Sequence, residues 1–464
     1  MIYYPLPCQE EGAKFMIDNP RSGILFKMGI GKTVTALTAA EQLMYNYMRV
    51  RRALVLAPKR VATMTWPDEI EKWNHTRDLT YTVLHGADKL EKLKTEAHEV
   101  DITLINYEGL QWLSQHYDEY APKYDLLISD ESTYLKNAGS NRTKLAHAIG
   151  RDIRYIFIMT GTPKPNGIAN LWSQIYLLDR GHRLGTGITS FRNEYMLQKD
   201  QRLWVPKHGA KKKVLDKIKD LVLVVEDTTG VGLPRVKDNI IDLELPPKAR
   251  KTYHELETKW VTNVSDSELL DEITLKLDNK QSLTQKLRQL SGGFIYTDEG
   301  ILNIHSVKLK ALEELMEGVQ GNLLVGINFK YEVDIIRKHF GYRVPAIYSK
   351  TNDKEGTKWI REWMAGKVPL MMANPASLAH GMNMQGGGCD IVWFSLTWDL
   401  EMWEQLIARL RRRGSQYETV FNHVLRMRDT IDDIMLKIVT TKGIEQAEAL
   451  DYLREYRKKL MRKK

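Results

Sequence analysis

The stretch Ser22-Gly23-Ile24-Leu25-Phe26-Lys27-Met28-Gly29-Ile30-Gly31-Lys32-Thr33 constrains the fold more than any other part of this chain. It reads as a buried strand, a glycine turn and the first turn of a helix. Such a turn aims several backbone N–H groups at one point, where a helix N-terminus also favours negative charge. Lys32 adds a point charge suited to the β- and γ-phosphates of a nucleoside triphosphate, and the Thr33 hydroxyl is suited to Mg²⁺. Met28, Gly29, Ile30, Gly31, Lys32 and Thr33 are therefore the candidate nucleotide contacts. Helical spacing puts Val34, Leu37, Ala40, Met44 and Tyr47 on one face behind the loop. The longer form of the phosphate loop has glycine where Phe26 stands, whereas a shorter form needs only Gly29 and Gly31. A dinucleotide-binding turn fits less well, because Lys32-Thr33 stands where that fingerprint wants unobtrusive residues.

A chain of 464 residues with 43% hydrophobic content is too long for one core and implies two or three domains. No run of about eighteen apolar residues is present, so no membrane span is expected. The N-terminal residues lack the basic-then-apolar layout of a signal peptide. Cys8 and Cys389 are the only cysteines; they support neither a disulfide framework nor a zinc site, which suits a reducing cytoplasm. The formal charge of +9 leans towards a polyanionic partner.

Beyond the loop, Ala53-Leu54-Val55-Leu56-Ala57-Pro58 and Ile102-Thr103-Leu104-Ile105-Asn106-Tyr107 read as strands, with a helix holding Trp66, Pro67, Ile70 and Trp73 between them. The apolar run Tyr124-Asp125-Leu126-Leu127-Ile128-Ser129 ends in Asp130-Glu131. A strand so ended places two carboxylates at the carboxyl edge of a sheet, where open α/β sheets bind ligands. Asp130 is suited to contact Mg²⁺ through water, and Glu131 to orient and deprotonate an attacking water. Tyr155-Ile156-Phe157-Ile158-Met159-Thr160-Gly161-Thr162-Pro163 is a further strand whose Thr160 and Thr162 hydroxyls could relay the state of a γ-phosphate; a plain Gly-Pro turn reads equally well. Ahead of the loop, Gln9 offers donor and acceptor together, as an adenine edge requires.

The strand–helix alternation implies α/β folding with mostly parallel sheets. The first domain is expected over 1–180. The rhythm fails over 181–300, read as helical insertions that include the basic run Lys207-His208-Gly209-Ala210-Lys211-Lys212-Lys213. It returns over 301–440, where Trp359 and Trp363 read as core rather than base-stacking platforms. Residues 441–464 form a basic end. Within the second α/β segment, helical spacing puts Gln405, Arg409, Arg412 and Arg413 on one face. Like charges at that spacing repel, so an anion is expected opposite: phosphates of a nucleotide or of a nucleic acid.

These residues resemble helicase superfamily two, and within it the Swi/Snf-type DNA translocases, over nearly the whole chain. Gln9 resembles the adenine-reading glutamine, Met28–Thr33 motif I, Ala57-Pro58 motif Ia, and Asp130-Glu131-Ser132 with Leu135-Lys136-Asn137 the Swi/Snf form of motif II. Thr160-Gly161-Thr162-Pro163 resembles motif III, Gly381-Met382-Asn383-Met384 motif V, and Gln405, Arg409 and Arg412 fall on motif VI. Ala408 and Ser415 depart from the usual Gly and Gln without removing a charge. The resemblance implies two RecA-like lobes with helical protrusions between them. It also implies ATP and Mg²⁺ in the cleft, with Gly381 and Gln405 near the nucleotide and Arg409 and Arg412 completing catalysis. Stand-alone phage or bacterial motors are more similar than eukaryotic remodellers. The expected activity is ATP-driven movement of a monomer along duplex DNA, gripped mostly by its phosphates, with room for a loading partner and no membrane. A strand-separating DNA or RNA helicase, or a non-hydrolysing nucleic-acid-binding protein, is the alternative.

Overall fold

A computed structural model describes residues 1–161, 168–198, 204–225, 232–262, 277–297, 300–319, 321–341, 343–378 and 384–441. The expectations for Thr162, Pro163, Gly381, Met382, Asn383 and the basic end lie outside these residues. The chain divides into two compact units, one mainly Met1–Leu233, the other Pro234–Ala379 with the residues from Asn383 onward.

In the first unit, strands and helices alternate: α1 (Pro7–Asp18), β1 (Arg21–Phe26), α2 (Lys32–Glu41), β2 (Ala53–Ala57), α3 (Trp66–Lys72), β3 (Tyr81–Val83), α4 (Lys89–Lys94), β4 (Ile102–Asn106) and α5 (Leu110–Tyr120). β5 (Leu126–Asp130), α6 (Asn141–Ile149), β6 (Tyr155–Thr160), α7 (Ala169–Asp179) and α8 (Ile188–Tyr195) follow. A small hairpin of β7 (Met196–Gln198) and β8 (Trp204–Pro206) precedes α9 (Ala210–Ile218) and β9 (Val222–Val225). Seven of these strands form one sheet in the order β3-β4-β2-β5-β6-β1-β9, parallel throughout. The inner strands β2, β5 and β6 are buried at every position, which is why they read as unbroken apolar runs instead of alternating ones. Because β1 lies between β6 and β9, while β2 lies beyond β5, the turn after β1 opens at the carboxyl edge beside the ends of β5 and β6.

Two local features differ from what helical spacing suggested. α2 stops at Glu41 and runs into a π-helical turn, Gln42–Asn46, closed by the Tyr47 N–H on the Gln42 carbonyl at 2.8 Å. The wider turn shifts the register, so Val34, Leu37, Ala40 and Met44 are buried while Tyr47 is half exposed. Phe26, the departure from the longer loop pattern, is fully buried. A Cβ on Gly12 of α1 would stand 2.7 Å from its ring, so the glycine makes the space the ring fills.

The second unit contains β10 (Arg235–Leu243), α10 (Pro247–Thr262), α11 (Leu277–Ser291), the hairpin β11 (Phe294–Thr297) and β12 (Gly300–Asn303), α12 (Val307–Gly318), β13 (Leu323–Gly326), α13 (Lys330–Phe340) and β14 (Ala346–Ile347). It continues with α14 (Asp353–Met364), β15 (Leu370–Ala373), α15 (Pro375–Leu378), β16 (Asp390–Trp393), α16 (Leu400–Leu410), β17 (Thr419–Met427) and α17 (Ile431–Thr440). Its sheet, again parallel, has the order β10-β17-β16-β13-β15-β14. The expected fold class, two parallel-sheet α/β units with helical insertions, is the one observed.

The stretch 181–300 is helical at α10 and α11, yet it also gives one strand to each large sheet. β9 pairs with β1 of the first sheet, and β10 with β17 of the second. Both are edge strands. β10 is largely exposed and carries Arg235, Lys237, Asp238 and Asp242, so it lacks the apolar run that marks an inner strand. Trp363 is core, with its Nε1–H donating to the Met384 carbonyl at 3.0 Å.

An ion pair sits inside the second unit. Lys308 and Asp432, both nearly inaccessible, meet at 2.7 Å, and the Asp432 carboxylate also accepts from Ser291 Oγ and the Met427 N–H. Breaking one partner of such a pair strands a buried charge. Lys308→Met should lower the stability of this unit by about 3 kcal/mol in chemical denaturation. Adding Asp432→Asn should recover part of the loss.

Candidate nucleotide site

The candidate phosphate loop is shaped by two left-handed glycines, Gly29 at φ +87° and Gly31 at φ +86°, a region other residues enter only with strain. Gly31 is also the residue before the first turn of α2, so Lys32 and Thr33 begin that helix, at the end where N–H groups find no acceptor within the helix itself. Gln9 holds the turn from below. Its Nε2 donates to the Ile30 carbonyl at 2.7 Å, and its Oε1 accepts from the Leu6 N–H at 2.8 Å. A Cβ on Gly31 would stand 2.4 Å from that Nε2. The amide that sequence reading assigned to a base edge is thus also a strut of the loop.

The tips of β5 and β6 complete the arrangement. Asp130 is 7% exposed and accepts from the Trp66 indole N–H at 2.9 Å. Burial pushes its carboxyl up to about 6; the Trp66 hydrogen bond and the Lys32 ammonium act the other way. Glu131 adopts φ +56°, a left-handed conformation in a non-glycine residue. That bend turns its carboxylate to Oε1 contacts with Thr133 Oγ1 at 2.9 Å and Thr160 Oγ1 at 3.1 Å. Lys32 Nζ lies 3.3 Å from where a Cβ on Gly161 would stand, so the loop lysine reaches the end of β6. Lys32, Asp130, Glu131 and Thr160 are therefore brought together within the first unit.

A hard divalent cation fits this donor set. Thr33 and Asp130 offer oxygen only, and the buried Asp130 carboxylate lacks enough positive charge to hold its pKa down. No group of three or more His, Cys, Asp or Glu suited to a metal occurs among the described residues. One carboxylate with a hydroxyl suits Mg²⁺, which keeps waters and phosphate oxygens as its other ligands.

The remaining candidates belong to the second unit. Gln405 and Arg409 lie on the buried face of α16, at 1% and 4% exposure. Gln405 Nε2 donates to Glu401 Oε1 at 3.2 Å. The helix ends at Leu410, with Arg411 at ψ 79° and Gly414 at φ +80°. Arg412 and Arg413 therefore stand in the turn after α16 and not on the helical face the spacing suggested. Arg412 folds back, its Nε–H donating to the Ala408 carbonyl at 3.2 Å.

Residues 8–292 match the SNF2-related domain. The chain belongs to the SNF2-related family. The relatives of this SNF2-related chain carry names of several kinds. Protein p41 of Acyrthosiphon pisum secondary endosymbiont phage 1 is 30% identical across 97% of the chain and 99% of its own length. The ATP-dependent helicase YqhH of Bacillus subtilis is 21% identical across 95% of the chain and 78% of its own. The SWI/SNF-related matrix-associated actin-dependent regulator of chromatin subfamily A-like protein 1 of Xenopus tropicalis is 23% identical across 96% of the chain. The chain spans 46% of that longer relative. A Sulfolobus solfataricus SWI2/SNF2 ATPase core in complex with dsDNA aligns over 96% of this chain and 92% of its own, at 19% identity and a TM-score of 0.46.

Three supports of the SNF2-related site were not read from sequence. Spacing places Trp66 only on a helix, although a buried indole needs an acceptor for its N–H. Tyr107 contacts Ser129 Oγ and donates to the Asp130 carbonyl, both at 2.8 Å, fixing the end of β5 from the turn after β4, across the intervening β2. Ser132 Oγ donates to Gln174 Oε1 at 2.6 Å, tying the turn after Glu131 to α7. Such long-range pairs have no local pattern.

The raised Asp130 pKa fixes a pH dependence. The ordinary value is 3.8 and the folded value about 6, so the native state holds the proton more tightly than the unfolded chain. Stability is then lost as pH rises through that window and levels off above it, a loss of roughly 3 kcal/mol. Relative to the wild type, Asp130→Asn should raise the melting temperature of the nucleotide-free protein at pH 7.5 and have little effect near pH 4. Thermal unfolding across pH 4–8 measures both.

Proposed function

We propose that this chain hydrolyses ATP with Mg²⁺ and uses the cycle to move along double-stranded DNA. The observation that carries the reading is the Glu131 carboxylate, bent out by a left-handed backbone, bonded to Thr160 and set beside Asp130 at the strand end that Lys32 reaches. Lys32 and the loop N–H groups hold the β- and γ-phosphates. Mg²⁺, held by Thr33 and through water by Asp130, would neutralise charge developing on the phosphoryl oxygens. Glu131 orients the attacking water and takes its proton. The Thr160 hydroxyl, already on that carboxylate, registers whether the γ-phosphate is present.

Arg409 and Arg412 of the second unit supply the positive charge that completes the transition state, a contribution of about 10³–10⁵ in rate where such arginines act. Gln405 would contact the nucleotide as well, as would Gly381 by the resemblance of its motif. With the two sheet-bearing units as the lobes and the helical parts of 181–300 as the protruding segments, alternate gripping of one strand by the lobes becomes stepping of a monomer along the duplex. The phage relative supports action in a host cytoplasm. Most contacts would be to phosphates, so affinity should fall steeply with salt and vary little with sequence.

Steady-state ATPase with duplex DNA, single strands and RNA tests the reading: duplex DNA should stimulate most. Lys32→Ala should abolish turnover, and Glu131→Gln should lower kcat at least about 100-fold while retaining nucleotide binding. Unchanged turnover in either variant would remove the site assignment. Displacement of a triplex strand from intact duplex, without unwinding of a fork, separates translocation from strand separation.

A further inference from the structure

Two hydroxyls hold the Glu131 carboxylate, and they differ in where they come from. Thr133 Oγ1 donates to Glu131 Oε1 at 2.9 Å, and Thr160 Oγ1 donates to the same oxygen at 3.1 Å. Thr160 ends β6, a separate strand, 29 residues along the chain. Thr133 lies only two residues from Glu131, in the turn Ser132–Leu135 that follows it. A contact between two strand ends parts when those ends shift. A contact within one turn moves with the turn.

That turn is braced from several directions. The Tyr134 N–H donates to the Glu131 carbonyl at 3.0 Å, and the Lys136 N–H to the Thr133 carbonyl at 3.2 Å. Ser132 Oγ is tied to Gln174 of α7 at 2.6 Å. The Tyr134 ring stacks on Tyr107 at 4.8 Å, with 12° between their planes. Thr133 itself is 9% exposed, so water competes little for its hydroxyl.

The left-handed backbone at Glu131 sets only where the side chain starts. Its torsions out to the carboxylate each have a staggered choice, and ordering them costs entropy. One hydrogen bond to a charged group contributes about as much as that ordering costs. A single hydroxyl therefore suffices to keep one rotamer, and the second can be released. We infer that Thr133 is the standing positioning residue for Glu131: it keeps Oε1 fixed through the cycle, so that Thr160 can leave the carboxylate without the base losing its place. Both bonds fall on Oε1, so Oε2 is the oxygen that takes the proton from water. The Thr133 hydroxyl acts through Glu131 and transfers no proton of its own. The inference rests on the hydrolytic site proposed above and deepens it.

The test uses the full chain with duplex DNA and compares Thr133→Val, which keeps the shape and removes the hydroxyl, with Thr133→Ser, which keeps the hydroxyl. Steady-state kcat and KM for ATP are measured beside the affinity for a fluorescent ADP analogue, at a temperature where thermal unfolding shows both variants folded. Thr133→Ala replaces the valine variant if that one is not. Removing the hydroxyl should lower kcat about tenfold or more, the scale of one hydrogen bond to a charged group, although Thr160 is intact. KM and the affinity for the analogue should stay within about twofold of wild type, and Thr133→Ser should keep kcat within about threefold. A hydroxyl that served only the turn would lower the melting temperature and leave kcat alone. The inference is overturned if the folded variant lacking the hydroxyl keeps wild-type kcat, if its loss appears in KM and analogue affinity instead, or if Thr133→Ser loses as much. An unchanged kcat in Glu131→Gln would instead strike at the hydrolytic site itself.

Discussion

A carboxylate buried at the end of an inner strand governs the first unit. Asp130 would be easier to bury neutral, as its raised pKa records, and much of what surrounds it answers that charge. Trp66 crosses from α3 to give its indole N–H, the loop lysine contributes positive potential, and Tyr107 fixes the backbone at the same residue. None of these neutralises the charge fully. A buried carboxylate short of positive charge is the kind of group that a cation stabilises.

The second unit handles buried charge differently. Lys308–Asp432 is complete as it stands, as is the contact between His423 Nε2 and Asp390 Oδ1 at 2.9 Å, with Asn239 Nδ2 on the other ring nitrogen. Glu332 is the intermediate case: one oxygen accepts from the Asn328 and Phe329 N–H groups and from Ser395 Oγ. Burial raises its pKa. These contacts join the ends of β13 and β16 at the carboxyl edge of the second sheet. There they act as internal scaffolding for the segment that leads into α16.

Much of this was legible in the sequence because chemistry and periodicity coincide there. The turn Met28–Thr33 requires glycines at defined places, and inner parallel strands need unbroken apolar runs, so the loop, the Asp130-Glu131 pair and the fold class could be read locally. Of the edge strands, β10 could not, since an edge tolerates polar residues and shows no run; β9, Val222–Val225, does carry an apolar run, but within a stretch whose charged helical spacing dominates. The extra residue in the π turn after Glu41 shifts Tyr47 without leaving a breaker in the sequence. At the arginine helix, spacing gave Gln405 and Arg409 a common face but carried the helix too far, because the stop depends on the backbone at Arg411 and the turn at Gly414. Trp66 and Tyr107 escaped for a third reason: their partners lie 64 and 23 residues away.

The left-handed backbone at Glu131 also narrows how this protein can change. Glycine and asparagine relax such a conformation most readily, and neither carries a carboxylate. Drift towards a more comfortable main chain at this position therefore runs directly into loss of the carboxylate proposed as the base. Selection for robustness and selection for turnover pull in opposite directions on a single residue.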